Sequence, residues 1–143
     1  MKINHIVSSI DSESGGPARS VTHLVEALLR LDEELNITLN TLNSKNPIIS
    51  DFLTVSGKIV FYKANFLGYS KELDNYLKLA SVDLFHGHGL WQAPVYQMSK
   101  IAHHKKIPYI LTPRGMLEPW SLSQGKLKKK IALSTFQLKH LKN

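Results

Sequence analysis

No cysteine occurs anywhere in the chain. That excludes a disulfide framework and a thiolate metal site, and it suits a reducing cytoplasm. No stretch reaches the roughly 18 consecutive apolar residues that a membrane-crossing helix needs. The opening, MKINHIVSSID, has its apolar run broken by Asn4 and His5, which is not the pattern of a secretory signal. Acidic residues are missing from Pro119 to Asn143, where Lys126, Lys128, Lys129, Lys130, Lys139 and Lys142 fall, so much of the net charge of +7 sits at that end. A basic stripe of this kind suits a phosphorylated ligand, anionic lipid or nucleic acid. Nucleic acid is the weakest of the three, because no arginine-rich or aromatic interleaving accompanies the lysines. The expectation is a soluble, cytoplasmic protein that touches the inner membrane face at most peripherally.

What is present is globular. The 143 residues are 43% hydrophobic and 20% charged, enough for one domain, residues 1–143, with a real core. Lys2 to Ser8 reads as a short buried strand. Beyond SESGGP, Val21, Leu24, Val25 and Leu28 recur with helical spacing. Asn36 to Leu42 (NITLNTL) alternates apolar and polar residues as a second strand, and Asn43 to Ser56 is a polar loop. Lys58 to Lys63 is a third strand, and Ser70 caps a helix with Leu73, Tyr76, Leu77 and Ala80 on one face. Val82 to Phe85 is a fourth strand, Pro94 opens a helix to about Lys106, and Pro108 to Thr112 is a fifth strand. A last helix runs from about Ser123 to the end, with Leu127, Ile131, Leu138 and Leu141 on one stripe and lysines mainly opposite. Alternation of strands and helices predicts an α/β fold, a Rossmann-like three-layer sandwich around a mainly parallel sheet. In such sheets ligands bind beyond the carboxyl ends of the strands.

Three distinctive stretches follow strands directly and are expected to converge on that edge. The first holds Gly15 and Gly16, which let a ligand approach the backbone at a helix N-terminus, with Arg19 in the first turn to fork onto a phosphate. A plain strand-to-helix turn is the other reading. It is not GxGxxG, and no acidic residue ends NITLNTL to hold a ribose, so an ordinary dinucleotide site is not expected. The second is HGHGLWQ, where His86 and His88 straddle a glycine that lets the chain turn; either one imidazole faces the crevice as a base or hydrogen-bond donor, or one packs in the sheet while the other bonds a loop, and His86, continuing the strand, is the one expected to pack. A metal would need further ligands, and no carboxylate or cysteine stands nearby, so neither metal nor other cofactor is expected. The third is TPRGMLEPW, in which Pro113 and Gly115 hold Arg114 in place and Glu118 is an available ion-pair partner. Trp91 and Trp120 either form an apolar, sugar-stacking platform or are simply packed. The basic last helix either docks on the sheet with a solvated face or lies against anionic headgroups.

Taken together, GGPARSV after the first strand, HGHGLWQ after the fourth and TPRGMLEPWSLSQGKLKKKIA after the fifth resemble the N-terminal domain of glycosyltransferase family 4, retaining enzymes of the GT-B fold. The resemblance spans essentially the whole chain. It implies the acceptor-side half of an enzyme that moves a sugar from a nucleotide-sugar donor to a polysaccharide or lipid-linked acceptor. It implies that Gly15 and Gly16 border the donor diphosphate and the acceptor, that His88, with His86 second, lies close to the reacting sugar, and that Arg114 faces the cleft. It also implies that most donor contacts belong to a C-terminal domain outside these residues, whether the chain is a truncated product, an excised domain or the partner of a separately encoded half, so the chain alone is expected to be inactive. The alternative from another class is a non-catalytic module binding a phosphorylated or lipid-linked ligand, peripheral to the membrane through its basic helix.

Overall fold

A computed structural model describes residues 1–50 and 57–123 of the chain. The elements are β1 (Lys2–Val7), α1 (Gly16–Leu31), β2 (Asn36–Leu42), β3 (Lys58–Tyr62), α2 (Lys71–Leu79), β4 (Leu84–His88), α3 (Ala93–Lys105), β5 (Tyr109–Thr112) and α4 (Pro119–Ser123). The five strands form one sheet in the order β3-β2-β1-β4-β5, and every pairing is parallel. The α/β, Rossmann-like three-layer architecture expected from the alternation is the architecture observed.

Each face of the sheet has its own core. On one, Val21, Val25 and Leu29 of α1 pack against Ile3, Val7, Ile37 and Leu39. Leu24 and Leu28 are only half-buried, so the apolar stripe of α1 is turned toward Ala18, Thr22 and Leu29. On the other face, Leu73 and Leu77 of α2 and Val95, Met98, Ile101 and Ala102 of α3 enclose Ile6, Tyr62 and Phe85. Complete burial of a side chain such as Phe85 contributes about 1.5–3 kcal/mol. Ser70 caps α2, its Oγ accepting from Leu73 N at 3.2 Å. Its backbone is clamped to α3, Gln97 accepting from Ser70 N at 3.1 Å and donating to Ser70 O at 2.7 Å.

Several local expectations are corrected. Beyond the exposed Asn36, the polar residues of NITLNTL do not face water: Thr38, Asn40 and Thr41 are buried because β2 is an inner strand covered on both faces. Asn40 is satisfied there, donating to His5 O at 3.3 Å and accepting from the Tyr62 hydroxyl at 2.8 Å. The fourth strand does not stop at Phe85 but runs through His86 and Gly87 to His88. A helix is present already at Pro119, and the predicted remainder of it, with its leucine stripe and lysines, lies outside the described residues.

Candidate functional site

The carboxyl ends of β1, β4 and β5 are neighbours, and the stretches after them share that edge. After β1, Asp11 organises the loop. Its carboxylate accepts from Glu13 N at 3.1 Å, from Ser44 Oγ at 2.7 Å, and from Lys45 N and Asn46 N at 3.0 Å each. Those bonds, the Ser44 hydroxyl first, hold its pKa down to about 2. The chain then reaches Gly15 at φ 78, ψ −151, a region essentially reserved for glycine. Gly15 provides no side-chain cap to α1, and a Cβ at either Gly15 or Gly16 would meet nothing within 4 Å. The helix N-terminus is therefore open, with Arg19 exposed in its first turn.

Gly87 is not the turn expected of it. Its Cβ would come within 2.7 Å of Met98 Cε and 2.9 Å of both Leu111 Cδ2 and Val95 Cγ1, so the residue is glycine because α3 packs directly on β4 there. The chain turns instead at Gly89, φ 92, and Trp91, φ 65. With Gly87 facing α3, strand alternation sends His86 and His88 to the α1 face. His5 of β1 stands opposite His86 in the parallel register and joins them.

The three imidazoles form one cluster, with ring centroids 4.1 Å apart for His86 and His88, 4.9 Å for His5 and His86, and 5.2 Å for the stacked His5 and His88. His86 Nε2 lies 2.8 Å from Thr112 Oγ1. Arg114 Nη2 lies 3.0 Å from His88 Nδ1, and His88 Nε2 lies 2.9 Å from His5 Nδ1. A guanidinium only donates. His88 Nδ1 must then be the acceptor, its proton rests on Nε2, His5 Nδ1 accepts that proton in turn, and the His5 proton is left on Nε2. That nitrogen is buried without a partner, at a cost of about 1–3 kcal/mol. One arginine thus sets the tautomers of two histidines.

Burial keeps the cluster neutral. It is the first cause, with the charges of His86, His5 and Arg114 behind it, that takes His88 down to about 2. His5 is held at about 3 by burial, then by His86 and Arg114. His86, half-buried, is lowered by burial and then by Arg114.

Arg114 sits in the left-handed region at φ 52, followed by Gly115 at φ 75. Its turn is closed by Met116 N donating to Pro113 O at 3.1 Å and is joined to the β4 loop by Leu90 N donating to Met116 Sδ at 3.0 Å. Glu118 does not pair with it: among the described residues the ion pairs are Arg30–Glu26 and Lys78–Asp74. The Arg114 Nε is buried and unpartnered, and burial lowers its pKa, so a cation stands there with no carboxylate of the described residues to balance it.

His86, His88 and Arg114 are therefore brought together, with Gly15 and Gly16 on the same edge. Trp91 lies in the loop after β4 at the same edge, but it does not form a platform with Trp120. Trp91 keeps its Nε1 buried and unpartnered, Trp120 is 76% exposed on α4, and the ring contacts among the described residues do not include a Trp91–Trp120 pair. The burial of the two sheet histidines is the reverse of that expected. His88 is 1% exposed with both ring nitrogens engaged, and the half-buried ring is that of His86. His5 was missed by sequence reasoning, because a lone histidine in an apolar strand carries no local signal. With His5 the cluster supplies three ligand-type side chains. The donor set does not suit a cation, however: a ligating histidine gives its second N–H to an acceptor, whereas the second nitrogen of His88 is capped by the donor Arg114.

No protein-family model matches the chain, and no curated protein matches it.

Proposed function

We propose that the chain is the N-terminal, acceptor-side domain of a retaining glycosyltransferase, moving a sugar from a nucleotide-sugar to a saccharide or lipid-linked acceptor. The observation that carries this reading is the Arg114–His88 contact at the carboxyl edge of a parallel sheet, with no carboxylate of the described residues on the guanidinium. When a sugar leaves its diphosphate, negative charge grows on the departing phosphate oxygen. An unbalanced guanidinium and an open helix N-terminus are suited to stabilise that charge. His88 holds Arg114 toward the edge, and His86 is the imidazole in reach of a sugar hydroxyl. Every ring is neutral near pH 7, so the histidines serve as hydrogen-bond partners rather than as cations.

On this reading most donor contacts belong to a second domain, and half a cleft cannot exclude water. The isolated chain should turn over no nucleotide-sugar. The test supplies a family 4 donor-binding domain by fusion and follows sugar transfer from labelled nucleotide-sugars. His88→Ala and Arg114→Ala should each abolish transfer while the circular dichroism spectrum is kept. The second reading, a non-catalytic module for a phosphorylated ligand, is favoured by the near-complete burial of His88. It predicts that pyrophosphate binds, that Arg114→Ala loses it, and that no fusion transfers sugar.

A further inference from the structure

The connection from β3 to α2 presents an apolar tip that packing does not explain. Phe66 is 94% exposed and Leu67 70% exposed, side by side. Flexibility is not the reason. Asn65 Oδ1 accepts from Leu67 N and Tyr69 N at 3.0 Å each, Asn65 N donates to Tyr69 O at 2.9 Å, and Gly68 N donates to Asn65 O at 2.9 Å. Gly68, at φ 78, allows the tight return. The turn is thus closed by backbone groups and the Asn65 side chain, with Tyr69 tied to Asp74, leaving the Phe66 and Leu67 side chains outside it.

Lys63 and Lys71 flank the tip, both exposed and in no ion pair among the described residues. Two acids stand close by, both engaged: Glu72 accepts from Lys63 N at 3.2 Å, and Asp74 bonds Tyr69 and pairs with Lys78. Behind the tip lies a hollow of about 600 Å³, lined by Leu42, Asn43, Lys63, Asn65 and Phe66 among others. Because β3 runs parallel to its neighbours, all of this falls on the edge that carries Gly16, His88 and Arg114.

We propose that this turn is a membrane-docking finger: Phe66 and Leu67 enter the headgroup–acyl boundary of an anionic bilayer, and Lys63 and Lys71 remain among the phosphates. A convex tip of two side chains is far too small for a stable protein interface, which needs roughly 1,000 Å² or more. A bilayer needs only a few apolar side chains with cationic flanks. A turn already held by its own hydrogen bonds loses little freedom on insertion. Docking by this finger would set the carboxyl edge of the sheet against the lipid surface. The proposal does not depend on the transferase reading and is separate from the lysine-rich C-terminal stretch.

The test is cosedimentation of the full chain with phosphatidylcholine vesicles, with and without phosphatidylglycerol, at low and high salt. The chain should bind the anionic vesicles at low salt. Phe66→Ser combined with Leu67→Ser should weaken that binding about tenfold or more, and Lys63→Gln with Lys71→Gln about tenfold. Thermal stability should be unchanged in both, since none of the four side chains is part of the core. Phe66→Trp should retain binding and be quenched by brominated acyl chains beyond the background of Trp91 and Trp120. Absence of vesicle binding would overturn the proposal. So would binding that survives Phe66→Ser/Leu67→Ser but is lost when Lys126, Lys128, Lys129 and Lys130 become Gln. A self-association that the same double variant dissolves, without any effect on vesicles, would assign the tip to a second copy of the chain instead.

Discussion

Arg114 Nη2 donates to His88 Nδ1 at 3.0 Å, across 26 residues of chain, and no carboxylate among the described residues competes for the guanidinium. The contact depends on backbone that few residues tolerate. Arg114 and Gly115 both lie at positive φ, a conformation that costs a non-glycine residue about 1–3 kcal/mol. The loop bears that cost at the point where the guanidinium meets His88, and Nε is left buried without a partner.

The tautomers are the most direct check. Long-range ¹H–¹⁵N spectra at pH 7 should show His88 and His5 each protonated on Nε2 and bare on Nδ1. In Arg114→Ala, His88 should become a mixture of tautomers, and the variant should lose about 1–3 kcal/mol of stability because a buried acceptor loses its donor. A wild-type His88 carrying its proton on Nδ1 would contradict the direction of the chain of bonds.

Stability should fall with acid, and the reason is the same cluster. The pKa of His5 is about 3 and that of His88 about 2 in the folded protein, against an ordinary value of 6.5. Lowered histidine pKa values mean that the unfolded chain binds protons the native state refuses. The contribution is complete above pH 6.5 and drains away as the pH drops from 6.5 toward 3. The slope is about 1.4 kcal/mol per pH unit for each ring. Asp11, lowered to about 2, works at a different range: its contribution is complete above about 3.8 and is lost only as the pH falls through 2. Urea unfolding at pH 7.5, 6 and 5 should therefore show a steep decline, and His5→Phe should flatten it. Equal stability at pH 7.5 and 5 would count against a neutral, buried cluster.

Gly87→Ala should destabilise the protein by about 1–3 kcal/mol, since its methyl group would be driven into Met98, Leu111 and Val95. Gly16→Ala, with nothing within 4 Å of the added carbon, should stay within about 0.5 kcal/mol of wild type. Thermal or denaturant melts of the two variants distinguish a glycine required by packing from one placed in open space. A Gly87→Ala protein as stable as wild type would remove the packing account of that residue.

The element order was legible from local pattern alone. Ser70 and Pro94 marked helix starts, the stripe around Val21 and Val25 marked α1, and strand–helix alternation implied a parallel sheet covered on both faces. Gly15 and Arg114 were also legible as special, because a glycine pair before a helix and an arginine between proline and glycine are local signals. What local pattern could not supply was strand order. Only the arrangement β3-β2-β1-β4-β5 sets β1 beside β4 and so brings His5 to His88, 83 positions away. The same packing made Gly87 a contact residue rather than a turn and left Glu118 apart from Arg114. Periodicity reports which face of an element is apolar; it carries no information about which element lies next to it, and hydrogen-bond partners at this site are decided by that adjacency.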